Sequence, residues 1–96
     1  MKTKEEIIEL LSQQKPEYAE KFKVRSMALF GSYARGNPGD NSDIDIMVDV
    51  DPSIGLEFVT LAESIEKMIG QRVELVSLRA IKPRQLEYIK PDLIYV

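Results

Sequence analysis

The stretch "LFGSYARGNPGDNSDIDIMVDV", Leu29 to Val50, decides the fold because its second half has a strict alternation. One side of this alternation is apolar and consists of Ile44, Ile46, Val48 and Val50; the other consists of Asp43, Asp45, Met47 and Asp49. A period of two predicts a β-strand with one buried face. The segment Asn37 to Ser42 before it is dense in turn-forming residues and predicts a loop.

The segments on the N-terminal side read as helix and then strand. Thr3 and Glu6 have the spacing of a capping box, which predicts a helix that starts near Lys4. Pro16 is expected to interrupt that helix and restart it as a second short one, "PEYAEKF". The apolar segment Val24–Phe30 predicts a strand, and "SYARG" after it predicts a single helical turn that begins at Ser32.

On the C-terminal side, residues 56–69 repeat apolar side chains at helical spacing, and Gly70 is placed to end that helix. The apolar positions of this helix are Leu56, Val59, Ala62, Ile65 and Ile69. The chain then predicts a strand at Arg72–Leu78, a short helix from Pro83 to Ile89 and an edge strand in "DLIYV". This order predicts an α/β (α+β) fold, a small mixed β-sheet covered by helices on one face, with residues 1–96 as a single domain.

Composition excludes several classes of function. The chain has no cysteine and no histidine, which excludes disulfides, thiolate or histidine metal sites and histidine acid–base chemistry. A net charge of −3 argues against an extended nucleic-acid surface. No apolar run is long enough to span a membrane, and the N-terminus lacks the pattern of a secretory signal, so a cytoplasmic protein is expected.

Asp43 and Asp45 indicate a metal site. Residues two apart on a strand project from the same face, roughly 7 Å apart at the backbone, so their carboxylates can converge on one cation or bridge two. Without a cation they repel each other, and one pKa rises. Mg²⁺ prefers one or two carboxylates, several waters and substrate phosphates. The pair alone is a weak signal.

Gly31 and Ser32 indicate a phosphate site across from the aspartates. Glycine permits close backbone approach, and the start of a helical turn offers free N–H groups. Arg35 could contact phosphate or a partner protein, or it could pair with a nearby acid such as Asp40. Ser42 is expected to brace the loop.

Gly-Ser, ten residues and Asp-x-Asp together resemble the signature of the DNA-polymerase-beta-type nucleotidyltransferases. The fuller string "LFGSYARG…SDIDIMV" is similar to the minimal nucleotidyltransferases (MNT), many of which act as antitoxins. The resemblance implies a palm-like fold, two Mg²⁺ ions and ATP as the substrate. It also implies transfer of AMP to a tyrosine hydroxyl of a HEPN-domain toxin, in a pair like those of type VII toxin–antitoxin systems.

The resemblance further implies a third catalytic and metal-binding carboxylate on a later strand, and Glu74 in "RVELV" is the matching position. The family has aspartate there more often. Asp49 is a rival on the face of Asp45, but it lies roughly 13 Å away along an extended strand, which is too far to share a metal cluster.

Two other functions compete with this prediction. One is an antitoxin that neutralises its toxin by binding alone. The other is a nucleotidyltransferase for a small molecule, working as a homodimer. The aspartates and the Gly-Ser turn favour a protein-modifying nucleotidyltransferase over the binding-only antitoxin. The nature of the acceptor distinguishes it from the small-molecule nucleotidyltransferase.

Overall fold

The computed structural model describes residues 2–96. Its helices are α1 (Lys4–Phe22), α2 (Gly31–Arg35), α3 (Glu57–Ile69) and α4 (Pro83–Ile89). Its strands are β1 (Val24–Phe30), β2 (Ile44–Val50), β3 (Val73–Ser77) and β4 (Ile94–Tyr95). Short 3₁₀ turns lie at Pro52–Ile54, Leu78–Ala80 and Lys90–Asp92.

The strands form one mixed sheet in the order β3-β2-β1-β4. β1 pairs antiparallel with β2 and with β4, whereas β2 and β3 are parallel and are joined through α3. A parallel pair requires such a crossover, because a tight turn can only reverse the chain. The predicted mixed α+β fold is therefore confirmed, and β4 is an edge strand as expected.

One face of the sheet is closed by α1 and α3. Ile44, Ile46 and Val48 of β2 are fully buried there with Met27 and Leu29 of β1. The helices contribute a buried stripe each, Ile7, Leu11, Tyr18 and Phe22 from α1 and Leu61, Ile65 and Ile69 from α3. This packing makes the sheet rigid, and the polar side chains project from its opposite face.

The prediction that Pro16 interrupts the first helix was wrong, since α1 runs unbroken from Lys4 to Phe22. The capping box of Thr3 and Glu6 starts it as predicted. Pro16 is exposed, as is Ser12, the residue whose carbonyl loses its usual partner, so that carbonyl can bond to water. The buried stripe on the opposite side of the helix continues past the proline and outweighs its local cost.

Two apolar positions of the predicted α3 stripe were also wrong. Leu56 is 89% exposed and Val59 is 56% exposed. The helix starts only at Glu57, and its buried side chains are those of Leu61, Ile65 and Ile69. Val59 lies next to this buried stripe and not within it. Both stripes have helical spacing, and only the packing of α3 against α1 and the sheet selects between them.

The expectation of a single buried face on β2 needs one correction, because Met47 is fully buried on the polar side of the strand. Its neighbours in register are Ala28 on β1 and Val76 on β3. The second face is thus apolar in its middle and acidic towards its ends. Within residues 2–96, no helix combines the length and the apolarity needed to cross a membrane.

Candidate active site

The candidate active site is a row of three side chains across the open face of the sheet. Phe30 of β1 is opposite Asp45 of β2, and Asp45 is in register with Glu74 of β3. Residues in register on adjacent strands lie about 4.8 Å apart and project from the same face. The two carboxylates therefore meet at this row, while Val73 and Leu75 on either side of Glu74 pack towards the helices.

Gly31 lies directly against the Asp45 carboxylate. Its φ of +74° falls in the left-handed region, and a Cβ placed there would overlap the Asp45 Oδ2 atom. The residue that follows β1 must therefore be glycine for two reasons, the backbone angle and the space. As a result, the first turn of α2 lies directly beside Asp45 near the start of β2.

Gly31→Ala is expected to impair the site more than its effect on folding accounts for. The left-handed angle alone costs alanine about 1 kcal/mol. Gly36→Ala is the matched control, because Gly36 has a φ of +81° and open space where its Cβ would lie. Chemical denaturation should show a loss of about 1 kcal/mol for Gly36→Ala and at least as much for Gly31→Ala.

The two glycine variants should differ in transfer activity. Displacing the Asp45 carboxylate by about 1 Å can cost about a hundredfold in rate, so Gly31→Ala should lose activity on that scale while Gly36→Ala keeps it. Equal activities in the two variants would show that the close approach of Gly31 to Asp45 is not needed.

The electrostatics of the row favour a bound cation. Burial, a hydrogen bond with Glu74 and the negative charges of Glu74 and Asp43 together raise the pKa of Asp45 from its ordinary 3.8 to about 6, and burial has the largest effect. The Arg35 guanidinium acts in the opposite direction. A carboxylate that is crowded by two others gains by sharing a divalent ion with them.

Asp45→Asn is expected to stabilise the metal-free protein at neutral pH. Asp45 has a higher pKa when folded than when unfolded, so stability falls as the pH rises from about 4 to about 6 and stays low above that. Asparagine cannot ionise and avoids this loss. The gain should be about 1 kcal/mol after allowing for the partial exposure of the side chain.

This gain can be measured by denaturation in EDTA at two pH values. The variant should be more stable than the wild type at pH 7.5 and equal to it at pH 4, where Asp45 is already protonated. A gain of the same size at both pH values would mean that repulsion is not its cause.

The acidic side chains suit Mg²⁺ but do not form a finished cluster. Asp43 precedes β2, close enough to act on Asp45 by charge, but among residues 2–96 no three acidic side chains converge as ready ligands. Glu74 is exposed, so drawing its carboxylate towards an ion costs mainly side-chain entropy. All the available donors are carboxylate oxygens, the ligands that Mg²⁺ prefers.

Arg35 lies at the border of the row, where an acid already engages it. Its Nη1 atom lies 2.8 Å from Oδ2 of Asp92, so the suggested pairing with Asp40 was wrong. The Arg35 side chain is 47% exposed and that of Asp92 is 22% exposed, and the guanidinium still acts on the pKa of Asp45. The Ser32 hydroxyl makes no hydrogen bond within the described residues, and the backbone oxygen of Ser32 accepts one from Asn37 at 3.0 Å.

The other two residues singled out in this region have structural roles. Asp49 accepts a hydrogen bond from Nε of Arg79 at 3.1 Å, so its carboxylate already has a partner outside the row that contains Asp45 and Glu74. Ser42 accepts one from the backbone N–H of Gly39 at 2.8 Å and braces the loop as expected.

The family model for "Polymerase beta, Nucleotidyltransferase" matches residues 5–94. The chain belongs to this family. It is a nucleotidyltransferase, and the matched range includes the whole sheet except Tyr95, with the Gly-Ser turn, the two aspartates and Glu74.

Two archaeal relatives match this nucleotidyltransferase along its whole length. A Methanocaldococcus jannaschii protein to which protein adenylyltransferase activity is attributed is 46% identical, with both chains fully covered. The protein adenylyltransferase MntA of Thermococcus cleftensis is 40% identical and is covered over 98% of its length.

Solved structures agree with these relatives. A structure described as a minimal nucleotidyltransferase has a TM-score of 0.82 at 26% identity, covering 97% of this chain and 95% of that one. A toxin–antitoxin crystal structure with AMP-PNP has a TM-score of 0.68 at 29% identity, covering 96% of this chain and 70% of that one. The predicted relationship to minimal nucleotidyltransferases is confirmed.

Sequence reasoning missed a cleft that adjoins Glu74. It has a volume of about 510 Å³, and its lining is mostly apolar. The sheet contributes Phe30, Glu74 and Val76 to it, and the α4 region contributes Ile81, Arg84, Gln85, Tyr88 and Ile89. No local pattern predicts this cleft, because its α4 wall depends on how the C-terminal segment packs over the sheet.

Proposed function

We propose that residues 1–96 act as one minimal nucleotidyltransferase domain that moves AMP from ATP to a tyrosine hydroxyl of a partner toxin. The observation that carries the proposal is the meeting of Asp45 and Glu74 in one row beside Gly31. Relatives of this chain along its full length are protein adenylyltransferases by name, and one structural neighbour is a toxin–antitoxin assembly with an ATP analogue. A HEPN-domain toxin, in a pair like those of type VII systems, is the partner that we propose.

Asp43, Asp45 and Glu74 would hold Mg²⁺, in our proposal two ions. Bound Mg²⁺ would neutralise charge on the triphosphate and make the acceptor hydroxyl more acidic. The chain's own part would be to supply one carboxylate just before β2, one on β2 and one on β3, and to set the nucleotide beside them. Because the carboxylates repel a free triphosphate, we propose that ATP binds as its Mg²⁺ complex.

Gly31 and Ser32 would bind the phosphates. Glycine brings the backbone near without a side chain, and the free Ser32 hydroxyl can donate a hydrogen bond. Arg35 is a candidate for the same role, provided that it leaves Asp92 or contacts the phosphate with the nitrogen atoms that Asp92 does not occupy.

The chemical step is an in-line displacement. A bond forms between the tyrosine oxygen and the α-phosphorus, and the bond from that phosphorus to the α–β bridging oxygen breaks. Pyrophosphate departs with the electron pair, and the hydroxyl proton passes to a site carboxylate or to water. Positioning and charge stabilisation do most of the work in such transfers.

The binding-only antitoxin is disfavoured by the position of Glu74. A pure binding protein has no need to keep Glu74 in register with Asp45, at a cost that shows as the raised pKa of Asp45. The small-molecule alternative is left to experiment, because the same site would serve either acceptor.

Co-expression with the neighbouring reading frame tests the proposal. The protein should co-purify with its partner, and mass spectrometry should find one AMP on a partner tyrosine after incubation with ATP and Mg²⁺. A partner that binds tightly but is never modified would support the binding-only antitoxin. Modification of an added small molecule, with no partner, would support the second alternative.

A further inference from the structure

Arg35 and Asp92 join two segments that are 57 residues apart in the chain. Arg35 is the last residue of α2, and Asp92 ends the 3₁₀ turn that precedes β4. Nη1 of Arg35 donates to Oδ2 of Asp92 at 2.8 Å, the shortest ion pair between two side chains among residues 2–96. This length is typical of a charge-assisted hydrogen bond, about 2.7–2.9 Å. The pair therefore fixes one side of the Arg35 guanidinium.

The short helix α2 brings this guanidinium close to the candidate active site. Ser32 and Arg35 are three residues apart on the helix, so their side chains lie on the same face. The helix begins at Gly31, which lies against the Asp45 carboxylate, and the charge of Arg35 acts on that carboxylate. Arg35 is therefore within electrostatic reach of the site proposed for Mg²⁺–ATP.

We infer that Asp92 is a positioning residue, which holds the Arg35 guanidinium in place so that its remaining N–H groups bind a phosphate of ATP. The inference rests on the proposed function. A guanidinium carries several N–H donors in a rigid plane, and the bond to Asp92 occupies one side of that plane. An arginine side chain that is already ordered loses less conformational entropy when it binds a ligand. Asp92 thereby raises the affinity for the nucleotide without touching it.

The alternative is that the pair only ties the C-terminal segment to α2, and the sign of the effect on nucleotide binding separates the two roles. Asp92→Asn removes a negative charge from a protein whose net charge is −3, so charge alone would tighten the binding of a triphosphate. The loss of a positioning contact weakens that binding instead. Asparagine has nearly the shape of aspartate, so we expect the variant to keep its fold.

Calorimetry of the full chain with Mg²⁺ and AMP-PNP, at an ionic strength of about 0.15 M, tests the inference. Asp92→Asn should weaken binding by about twofold to tenfold, the range that ordering one long side chain implies. Asp92→Glu keeps the charge and should recover part of this loss. Glu87→Gln is the matched control, because it breaks a different ion pair of the same segment, that with Lys90, and it should bind as the wild type does.

Two further measurements separate positioning from a structural role. In an Arg35→Ala background, Asp92→Asn should not weaken binding further, because there is no guanidinium to hold. With the co-purified partner, Asp92→Asn should raise the KM for ATP by a factor similar to its loss in affinity and leave kcat nearly unchanged. This pattern identifies a contact made equally in the ground state and in the transition state.

Unchanged or tighter nucleotide binding by Asp92→Asn would overturn the inference, as would an equal weakening with and without the Arg35 side chain. If the partner is still adenylylated in these cases, the proposed function stands and only the role of Asp92 fails. If Asp92→Asn weakens binding as expected and no partner is modified, the role of Asp92 stands and the proposed transfer to a partner fails.

Discussion

Asp45→Asn is expected to lower the rate of nucleotidyl transfer by about a thousandfold or more, the scale on which enzymes lose activity when a charge that stabilises the transition state is removed. Asp45 is the central member of the row, in contact with Gly31 on one side and Glu74 on the other. Asp43→Asn should have an effect of the same order, because the two carboxylates would share the metal.

The loss should be catalytic and not structural. The circular dichroism spectrum and the thermal transition of both variants should match or exceed those of the wild type in EDTA. Asp49→Asn is the matched control, since Asp49 lies on the same strand and face but pairs with Arg79. It should keep transfer within a few-fold of the wild type. A variant at Asp43 or Asp45 that retained substantial activity with the usual Mg²⁺ dependence would refute the metal assignment.

Glu74→Gln is expected to lower the transfer rate by about a hundredfold or more while changing the affinity for Mg²⁺–AMP-PNP little. We expect the triphosphate to depend mainly on the aspartates and the Gly31–Ser32 turn, and we expect Glu74 to act mainly on the acceptor hydroxyl. A loss in rate without a loss in nucleotide binding identifies an interaction that is used in the transition state.

Glu74→Asp is the informative companion to this variant. Glu74→Asp keeps the negative charge, so its transfer rate should be much higher than that of Glu74→Gln. The rate should still be below that of the wild type, because the aspartate side chain is shorter. Single-turnover kinetics and calorimetry on the same preparations separate the two quantities. If Glu74→Gln and the wild type transfer equally fast, Glu74 has no part in the reaction. Its contact with Asp45 is then only structural.

Local patterns in the sequence predicted the elements that carry the site. The alternation from Asp43 to Val50 gives β2 and places Asp45 on the polar face, and the Gly-Ser turn ends β1 where the register needs it. These features depend on neighbours along the chain, so one sequence suffices to predict them. The placement of Glu74 followed from the family pattern and agrees with the parallel register of β2 and β3.

Long-range packing decided what the sequence did not predict. The strand order, the pairing of Arg35 with Asp92 and the cleft under α4 all join segments that are distant in sequence. The predictions for Pro16 and Val59 were wrong for a related reason. The local preferences of these residues are overridden by the packing of the buried stripes of α1 and α3 against the sheet. Helical spacing alone does not determine which of two neighbouring apolar stripes faces the sheet.

The central claim is that this protein moves the nucleotidyl group, and labelled ATP tests it most directly. The protein and its co-purified partner are incubated with Mg²⁺ and ATP labelled at either the α- or the γ-phosphate. We expect the partner to acquire label from α-labelled ATP alone, with none in EDTA and none with Asp45→Asn. Transfer of the γ-label, or no label from either ATP while the complex stays intact, would contradict the claim.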